Sequence, residues 1–195
     1  MPHLGGRYLT EVELADAGFR RLGRNIRIHE RASIYCTENI VLWDNVRIDD
    51  FTVVIATGGV EFRSYSYLSA GCYIGGTNGI LFGEFTTLAP QVKLFSSSDD
   101  YSGGSLTNEV VPQRYVERDR GKIVLGKHVI IGAGSVVLPG CELGDGASIG
   151  SLSLVNRSLE PWGIYAGVPV RRLKARQQRV LELEARVRQE ETGQG

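Results

Sequence analysis

The stretch LGKHVI IGAGSV VLPGCE LGDGAS IGSLSL, residues 125–154, decides the fold because it repeats one pattern every six residues. The first place of each hexad is aliphatic, the fifth is small or β-branched, and the second is glycine in four of the five. A period of six fits neither an α-helix nor a single strand, and short repeats of this kind are typical of solenoids. A short strand and a tight turn, taken three times, would close a triangular coil of about eighteen residues.

Less regular hexads extend this winding toward the N-terminus, with slips between some of the coils. We count roughly fifteen sides in all, and hence about five coils. The chain is therefore predicted to be an all-β solenoid over residues 24–169. The aliphatic or aromatic first places are Leu22, Ile28, Ile34, Leu42, Ile48, Val54, Phe62, Leu68, Ile74, Phe82, Leu88, Leu94, Leu125, Ile131, Val137, Leu143, Ile149 and Val155.

The N-terminal segment, residues 1–23, does not repeat. Thr10 followed by Glu13 forms a capping-box pattern, and Gly23 is placed to end a helix, so a helix is predicted over residues 11–22. A solenoid needs its open end covered, and this helix could cover it.

The C-terminal segment, residues 170–195, is predicted to be helical as well. Leu173, Val180, Leu183 and Val187 fall on one helical stripe, which is expected to pack against the coil or against a neighbouring subunit. We expect the last three residues to be frayed.

Composition narrows the class of protein. Lys plus Arg and Asp plus Glu each number 22, so the formal charge is zero, which gives no support for nucleic acid or an anionic membrane as partner. The chain begins without a signal-peptide pattern, and no run of about 18 apolar residues occurs. We therefore expect a soluble cytoplasmic protein without membrane association.

The largest interruption of the repeat is the loop over residues 96–122, SSSDDYSGGSLTNEVVPQRYVERDRGK. A long excursion from a rigid scaffold is more often functional than not, because loops carry variable chemistry while the scaffold positions them. The loop is therefore the first place to look for an active site.

The hexads together with this loop resemble the hexapeptide-repeat acyltransferases of the galactoside, maltose and xenobiotic acetyltransferase type. The resemblance implies a left-handed parallel β-helix whose loop carries a catalytic histidine. In this chain the motif reads LAPQV from Leu88, and Asp99 stands where that family has its histidine. Gln91 likewise replaces the family's asparagine. These two departures put the usual mechanism in doubt.

The replacement of histidine changes which acceptor is reasonable. A sugar hydroxyl needs a base near neutrality, whereas a carboxylate near pKa 4 is a poor one. A neutral amine needs only orientation and a proton acceptor, which Asp99 or Asp100 could provide, particularly if crowding or burial raises the pKa of one of them. We therefore predict an amino acceptor, contacted by Gln91, Tyr101 and Asn108. The same DDYSGG segment also fits a polar turn.

Three histidines offer little in place of the missing one. His3 lies near the terminus, His29 lies in an early hexad, and His128 occupies the fourth place of LGKHVI, so each is expected to be structural or solvated. A carbonic anhydrase of the same fold would need three convergent histidines on zinc, which three scattered ones do not supply. No metal is expected.

For the donor, YAGVPVRRLKAR from Tyr165 resembles the signature that lies beside coenzyme A in this family. The resemblance implies that Arg171 and Lys174 meet the coenzyme A phosphates. An exposed basic face is the alternative for those two residues. By the same resemblance, the backbone groups of Ala133 and Ser151 hold the pantetheine arm. Asn156 takes the place of a donor-site threonine.

These expectations describe an enzyme that transfers acetyl from acetyl-CoA to the amino group of a nucleotide-linked amino sugar in surface-polysaccharide synthesis. The resemblance also implies a homotrimer, in which each site borrows residues from two chains. A saccharide O-acetyltransferase, with Asp100, Glu109 or a neighbouring subunit assisting, is one alternative. A catalytically silent β-helix used for binding or assembly is the other.

Overall fold

Short parallel strands build the protein, and they stack into three sheets that form the sides of a triangular coil. The computed structural model describes residues 5–193, so His3, Gln194 and Gly195 lie outside it. Sheet 1 contains β1 (Arg21–Leu22), β4 (Ile40–Leu42), β7 (Val60–Phe62), β10 (Ile80–Phe82), β15 (Ile123–Leu125) and β18 (Glu142–Leu143). Sheet 2 contains β2 (Arg27–Ile28), β5 (Arg47–Ile48), β8 (Tyr67–Leu68), β11 (Thr87–Leu88), β16 (Ile130–Ile131), β19 (Ser148–Ile149), β21 (Gly163–Ala166) and β22 (Arg171–Ala175). Sheet 3 contains β3 (Ser33–Tyr35), β6 (Val53–Ile55), β9 (Tyr73–Gly75), β12 (Lys93–Phe95), β17 (Val136–Val137) and β20 (Leu154–Val155).

The six-residue repeat is explained by this architecture. Each first place of a hexad lies directly above the first place one coil away; Leu88, for example, pairs in register with Ile131. Both side chains are fully buried, as are most of the other first places, because only the inward side of each two- or three-residue strand faces the core. Leu22, in the first coil, is the exposed exception at 38%. The solenoid prediction is confirmed, although the chain winds through six coils rather than five.

One corner of the coil, between sheets 1 and 2, carries a ladder of residues with left-handed backbone. Side chains in such a column lie one above the other, so they can stack. The rings of Tyr65 and Phe85 lie 4.4 Å apart and nearly parallel, and His128 follows at 5.1 Å from Phe85. Three consecutive coils thus contribute one ring each to an aromatic ladder on the outside of the protein.

The N-terminal helix α1 (Glu11–Asp16) has the predicted capping box. The Thr10 hydroxyl accepts a hydrogen bond from the Glu13 amide, and the Glu13 carboxylate accepts one from the Thr10 amide. The helix is shorter than predicted because Gly18, with φ of +71°, turns the chain before β1 joins sheet 1. The prediction that residues 17–22 are helical was wrong.

The C-terminal helix α2 (Val180–Glu191) begins ten residues later than position 170, where a helix was expected. The intervening Arg171–Ala175 forms β22, which pairs antiparallel with β21 and closes the last coil. In the single chain, α2 turns Glu184 toward the corner ladder, whereas Leu183 and Val187 of the expected stripe remain 46% and 37% exposed. Among residues 5–193, no helix is long and apolar enough to span a membrane.

Candidate functional site

The loop over residues 96–122 overhangs the outer face of sheet 3 and encloses a cavity of about 970 Å³. The loop begins and ends at one point of the coil, since Gly121 donates a backbone hydrogen bond of 3.1 Å to the Ser96 carbonyl. The cavity is lined by Thr77, Phe95, Ser97, Ser98, Asp99, Tyr101, Glu109, Arg118, Asp119, Arg120, Val136, Leu138, Pro139, Leu154 and Asn156.

A two-stranded antiparallel ribbon supports the wall of the cavity. Strands β13 (Ser97–Asp99) and β14 (Arg118–Arg120) pair so that Asp99 lies opposite Arg118. The fully buried Ser96 secures the base of the ribbon: its hydroxyl donates to the Gly75 carbonyl at 2.7 Å and accepts from the Asn78 amide at 2.8 Å. The ribbon is therefore attached to the rigid coil immediately before the acidic pair.

Asp99 faces the cavity and is held on one side only. Its Oδ1 accepts a hydrogen bond of 3.0 Å from Arg118 Nε, and its side chain remains 40% exposed. Arg118 is only 14% exposed and also donates to Glu109 Oε1 at 3.0 Å and to Gln113 Oε1 at 3.1 Å. No hydrogen bond to Asp99 Oδ2 occurs within residues 5–193, so this oxygen is the one available to a ligand.

Asp100 has a different environment from that of its neighbour. Its Oδ1 accepts from the Ser102 amide at 2.7 Å, and its Oδ2 accepts from the Ser105 amide at 2.9 Å. Hydrogen bonds from Ser102, together with the other loop amides, lower the pKa of Asp100, whereas crowding with Asp99 was expected to raise the pKa of one of the pair. Asp100 does not line the cavity, and the polar-turn alternative describes it well.

The three predicted acceptor contacts are not brought together. Tyr101 lines the cavity at its rim and is 92% exposed. Gln91 sits at the corner between sheets 2 and 3 with φ of +62°, and Asn108 lies at the far end of the loop, where its Oδ1 accepts from the Val110 amide at 3.0 Å. Neither Gln91 nor Asn108 lines the cavity within this chain.

The floor of the cavity is apolar although it belongs to the outward face of sheet 3. Phe95, Val136, Leu138 and Leu154 provide it, and Asn156 lies at its C-terminal end. Outward positions of a solenoid are ordinarily polar, so an apolar floor below a carboxylate fits a ligand that combines a hydrocarbon portion with a basic group.

The other predicted donor residues continue from this floor along the late coils. Ala133 and Ser151 occupy the corner between sheets 2 and 3 on consecutive coils, where the amide of Leu152, next to Ser151, donates to the Ala133 carbonyl at 2.9 Å. Arg171 and Lys174 lie exposed on β22. Of the five predicted donor residues, only Asn156 borders the cavity itself.

The described histidines have structural partners. His29 Nε2 lies 3.1 Å from the Gly5 carbonyl, and His128 Nε2 lies 2.8 Å from Glu184 Oε2. Neither histidine lines the cavity. The part of the chain that the structure describes contains no group of three or more His, Cys, Asp or Glu residues suited to a metal ion.

The sequence did not identify Arg118, although it contains a signal for this residue. SSSD opens the loop and RDRG lies near its end. Because both ends of the loop must leave and rejoin the same coil, antiparallel pairing of 97–99 with 118–120 is a reasonable consequence. The apolar cavity floor was also missed, since Val136 and Leu154 look like ordinary hexad residues.

Comparison with known proteins adds independent findings. Residues 122–157 match the family described as bacterial transferase hexapeptide (six repeats). The chain is 38% identical to the dTDP-4-amino-4,6-dideoxy-D-glucose acyltransferase of Escherichia coli, over 91% of this chain and 93% of that protein.

Solved structures give the same picture. The chain resembles AntD, an N-acyltransferase from Bacillus cereus, in complex with dTDP and 3-hydroxybutyryl-CoA. The TM-score is 0.92 and the identity 37%, over 96% of this chain and 99% of that one. A variant of the same enzyme in complex with dTDP-4-amino-4,6-dideoxyglucose and coenzyme A matches with a TM-score of 0.92 and 37% identity, over 96% of this chain and all of that chain.

Proposed function

Because the chain belongs to the hexapeptide-repeat acyltransferases, we propose that it transfers an acyl group from coenzyme A to the 4-amino group of a dTDP-linked 4-amino-4,6-dideoxy sugar. The left-handed β-helix, the use of acyl-CoA and the nucleotide-linked amino sugar as acceptor, all predicted from the sequence, are confirmed. The thymidine nucleotide and the position of the amine on the sugar are the proposed part. The observation that carries the proposal is Asp99, with one free carboxylate oxygen above an apolar floor.

We place the reacting amine at Asp99 Oδ2. The neutral amine nitrogen attacks the thioester carbonyl carbon, and its proton passes to Asp99 as the new C–N bond forms. The tetrahedral intermediate then collapses, the C–S bond breaks, and the coenzyme A thiolate leaves and takes up a proton. The carboxylate need not ionise an alcohol, which is why a residue less basic than histidine suffices.

The apolar floor suits the acyl chain and the adjoining pantetheine arm. Phe95, Val136, Leu138 and Leu154 form a surface several side chains long, which is more than an acetyl methyl group needs. We therefore propose that acyl groups longer than acetyl also serve as donors. Arg171 and Lys174, exposed on β22, would bind the phosphates at the far end of the same groove.

A homotrimer is proposed for the working enzyme. The corner between sheets 2 and 3 exposes Phe51 by 61% and Leu152 by 75%, and an apolar edge of this kind fits contact with a second copy of the chain. A neighbouring subunit there would supply the second wall of a groove that runs past Ala133 and Ser151. Light scattering after size-exclusion chromatography measures the subunit number directly.

We further infer that the product serves surface-polysaccharide synthesis in the cytoplasm. A sugar that carries a nucleoside diphosphate is activated at its anomeric carbon, so the reaction class that consumes the product is glycosyl transfer.

The test of the proposed function is acyl transfer to matched acceptors. Purified protein is supplied with acetyl-CoA, butyryl-CoA or 3-hydroxybutyryl-CoA and with dTDP-4-amino-4,6-dideoxyglucose, and free coenzyme A is measured. The matched control is the same sugar nucleotide with a hydroxyl at carbon 4. Transfer to the hydroxyl sugar alone would overturn the proposal. Asp99→Asn is expected to lower kcat about 100-fold or more.

A further inference from the structure

Arg118 is a largely buried cation on β14, and none of the sequence patterns assigns it a role. Its guanidinium donates to three separate side chains: Asp99 at 3.0 Å, Glu109 at 3.0 Å and Gln113 at 3.1 Å. Asp99 lies at the base of the loop, whereas Glu109 and Gln113 lie near its outer end. One side chain therefore ties the proposed reactive carboxylate to the segment that covers the cavity.

We propose that Arg118 is the positioning residue for Asp99, holding Oδ1 so that Oδ2 is presented to the acceptor amine. The proposal rests on the proposed function, because it assigns Asp99 the proton of that amine. Three of the five N–H groups of the Arg118 guanidinium, one on each nitrogen, donate to side chains of the loop.

The geometry favours arginine over lysine at this position. A guanidinium presents donors in a planar fork that can serve separate acceptors at fixed angles, whereas an ammonium is a point charge on a flexible stem. Arg118 is only 14% exposed, so its position is set by packing as well as by charge. Lysine at this position would keep the charge near Asp99 but would lose the simultaneous hold on Glu109 and Gln113.

The charged surroundings of Asp99 single out one partner. The other charged groups that line the cavity are Glu109, Arg118, Asp119 and Arg120, and Arg118 alone among them is hydrogen-bonded to Asp99 within the described chain. Replacing Arg118 therefore removes the side-chain hydrogen bond that orients this carboxylate.

The experiment compares Arg118→Met and Arg118→Lys in the full-length protein, with dTDP-4-amino-4,6-dideoxyglucose and butyryl-CoA as substrates. Arg118→Met is expected to lower kcat about 100-fold and Arg118→Lys about 10-fold, since a misplaced carboxylate loses the attack geometry. The KM for butyryl-CoA should stay unchanged in both variants. Arg114→Met is the matched control: Arg114 lies in the same loop, its guanidinium stacks 4.6 Å from the Tyr115 ring, and it should keep wild-type turnover.

A double variant separates positioning from a general loss of structure. If Arg118 acts through Asp99, Arg118→Met should cost nothing further in an Asp99→Asn background. An equal additional loss in that background would overturn the positioning role. So would a loss in Arg118→Met that appears wholly in the KM for butyryl-CoA and leaves kcat at the wild-type value.

Failure of the proposed function would look different. If Asp99→Asn itself turns over at the wild-type rate, the assignment of the proton to Asp99 fails, and the positioning role falls with it. If Asp99→Asn is inactive while both Arg118 variants behave as wild type, only the positioning role is overturned. Thermal unfolding of each variant shows whether the β-helix remains intact, and Arg118→Lys keeps the test decisive if Arg118→Met does not fold.

Discussion

Glu184 of the C-terminal helix lies 2.8 Å from His128 of the coil, and both side chains are more than nine-tenths buried. Lys127 and Arg188 also reach this carboxylate, each at 2.7 Å. A polar cluster thus attaches α2 to the aromatic ladder, where an apolar stripe was expected. Arg188 also donates to Glu84 at 2.8 Å and Tyr65 donates to Glu191, so Glu184 is the buried member of a wider set of polar contacts.

Glu184→Ala is therefore expected to weaken the attachment of the helix to the coil. The substitution leaves His128 without its acceptor and leaves Lys127 with Glu84 at 3.6 Å, and the loss should be about 2 kcal/mol in the free energy of unfolding. Urea unfolding at fixed protein concentration measures this. Glu190→Ala, on the same helix, is the control and should change stability only slightly. Equal effects of the two substitutions would show that the cluster contributes nothing specific.

Acid should release the same helix. Burial acts to raise the pKa of Glu184, but hydrogen bonds from Lys127, Arg188 and His128 outweigh it and lower the pKa to about 2 from an ordinary 4.5. A lowered pKa stabilises the folded state above the ordinary value, and this contribution is lost as pH falls from 4.5 toward 2. The protection factors of the helix amides, which are corrected for the intrinsic exchange rate at each pH, should fall over this range. Protection factors that stay unchanged down to pH 2 would contradict the expectation.

Gly146→Ala is expected to destabilise the coil by about 2 kcal/mol. Gly146 has φ of +68°, and a Cβ there would overlap the Trp162 indole. Gly103→Ala is the matched control, because Gly103 also has positive φ, +83°, but open space around it. The difference between the two melting temperatures isolates the effect of the indole from that of the backbone. Identical melting temperatures would exclude a packing effect.

Asp100→Asn should retain most of the turnover that Asp99→Asn loses. Both oxygens of Asp100 accept loop amides, and an asparagine oxygen can still accept one of them. We expect a decrease in kcat of less than about tenfold, smaller than the loss for a catalytic acid or base. Steady-state kinetics on the two variants side by side provides the comparison. The reverse order of effects would reassign the proton acceptor to Asp100.

Arg171→Ala should raise the KM for acyl-CoA and leave kcat nearly unchanged. Arg171 is exposed on β22, away from the cavity, so a contact with the donor phosphates would be equal in the ground state and the transition state. A tenfold rise in KM corresponds to about 1.4 kcal/mol. Dephospho-coenzyme A thioesters provide the control: if Arg171 meets the 3′-phosphate, the variant and the wild type should use them equally well.

The coil could be predicted from sequence because its rule is local. Leu125 and Ile131 are buried because each is the first residue of a hexad. Every hexad can be assigned by this pattern alone, so an error at a slip such as the one before Leu42 does not affect the hexads that follow. The number of coils was underestimated, although the eighteen first places, three to a coil, account for all six. The two ends of the chain were harder to predict. Strand β22 forms because β21 is there to pair with it, and the helical stripe through Leu173 does not reveal this pairing.

The candidate site was predicted only in part, and from a motif rather than from the repeat. Asp99 was found by its place in a motif, and the structure puts it in the cavity. Arg118 is nineteen residues away, and its contact with Asp99 depends on how the loop folds back on itself. Gln91 was chosen because it replaces the family's asparagine, and Asn108 is a polar residue of the loop, but neither residue lines the cavity. A contact between distant residues of an irregular loop produces no periodic pattern in the sequence, so the hexad analysis could not predict it.

The coil closes beneath the loop as if the loop were absent. Leu94 pairs with Val137 in the next coil of sheet 3, and Ser96 and Gly121 meet through one hydrogen bond. The ladder of sheet 3 therefore continues without any pairing from the chain between these two residues. Exchanging that loop is expected to alter the acceptor contacts and to leave the paired coil intact. A designer could graft the loop of another family member at the same two residues.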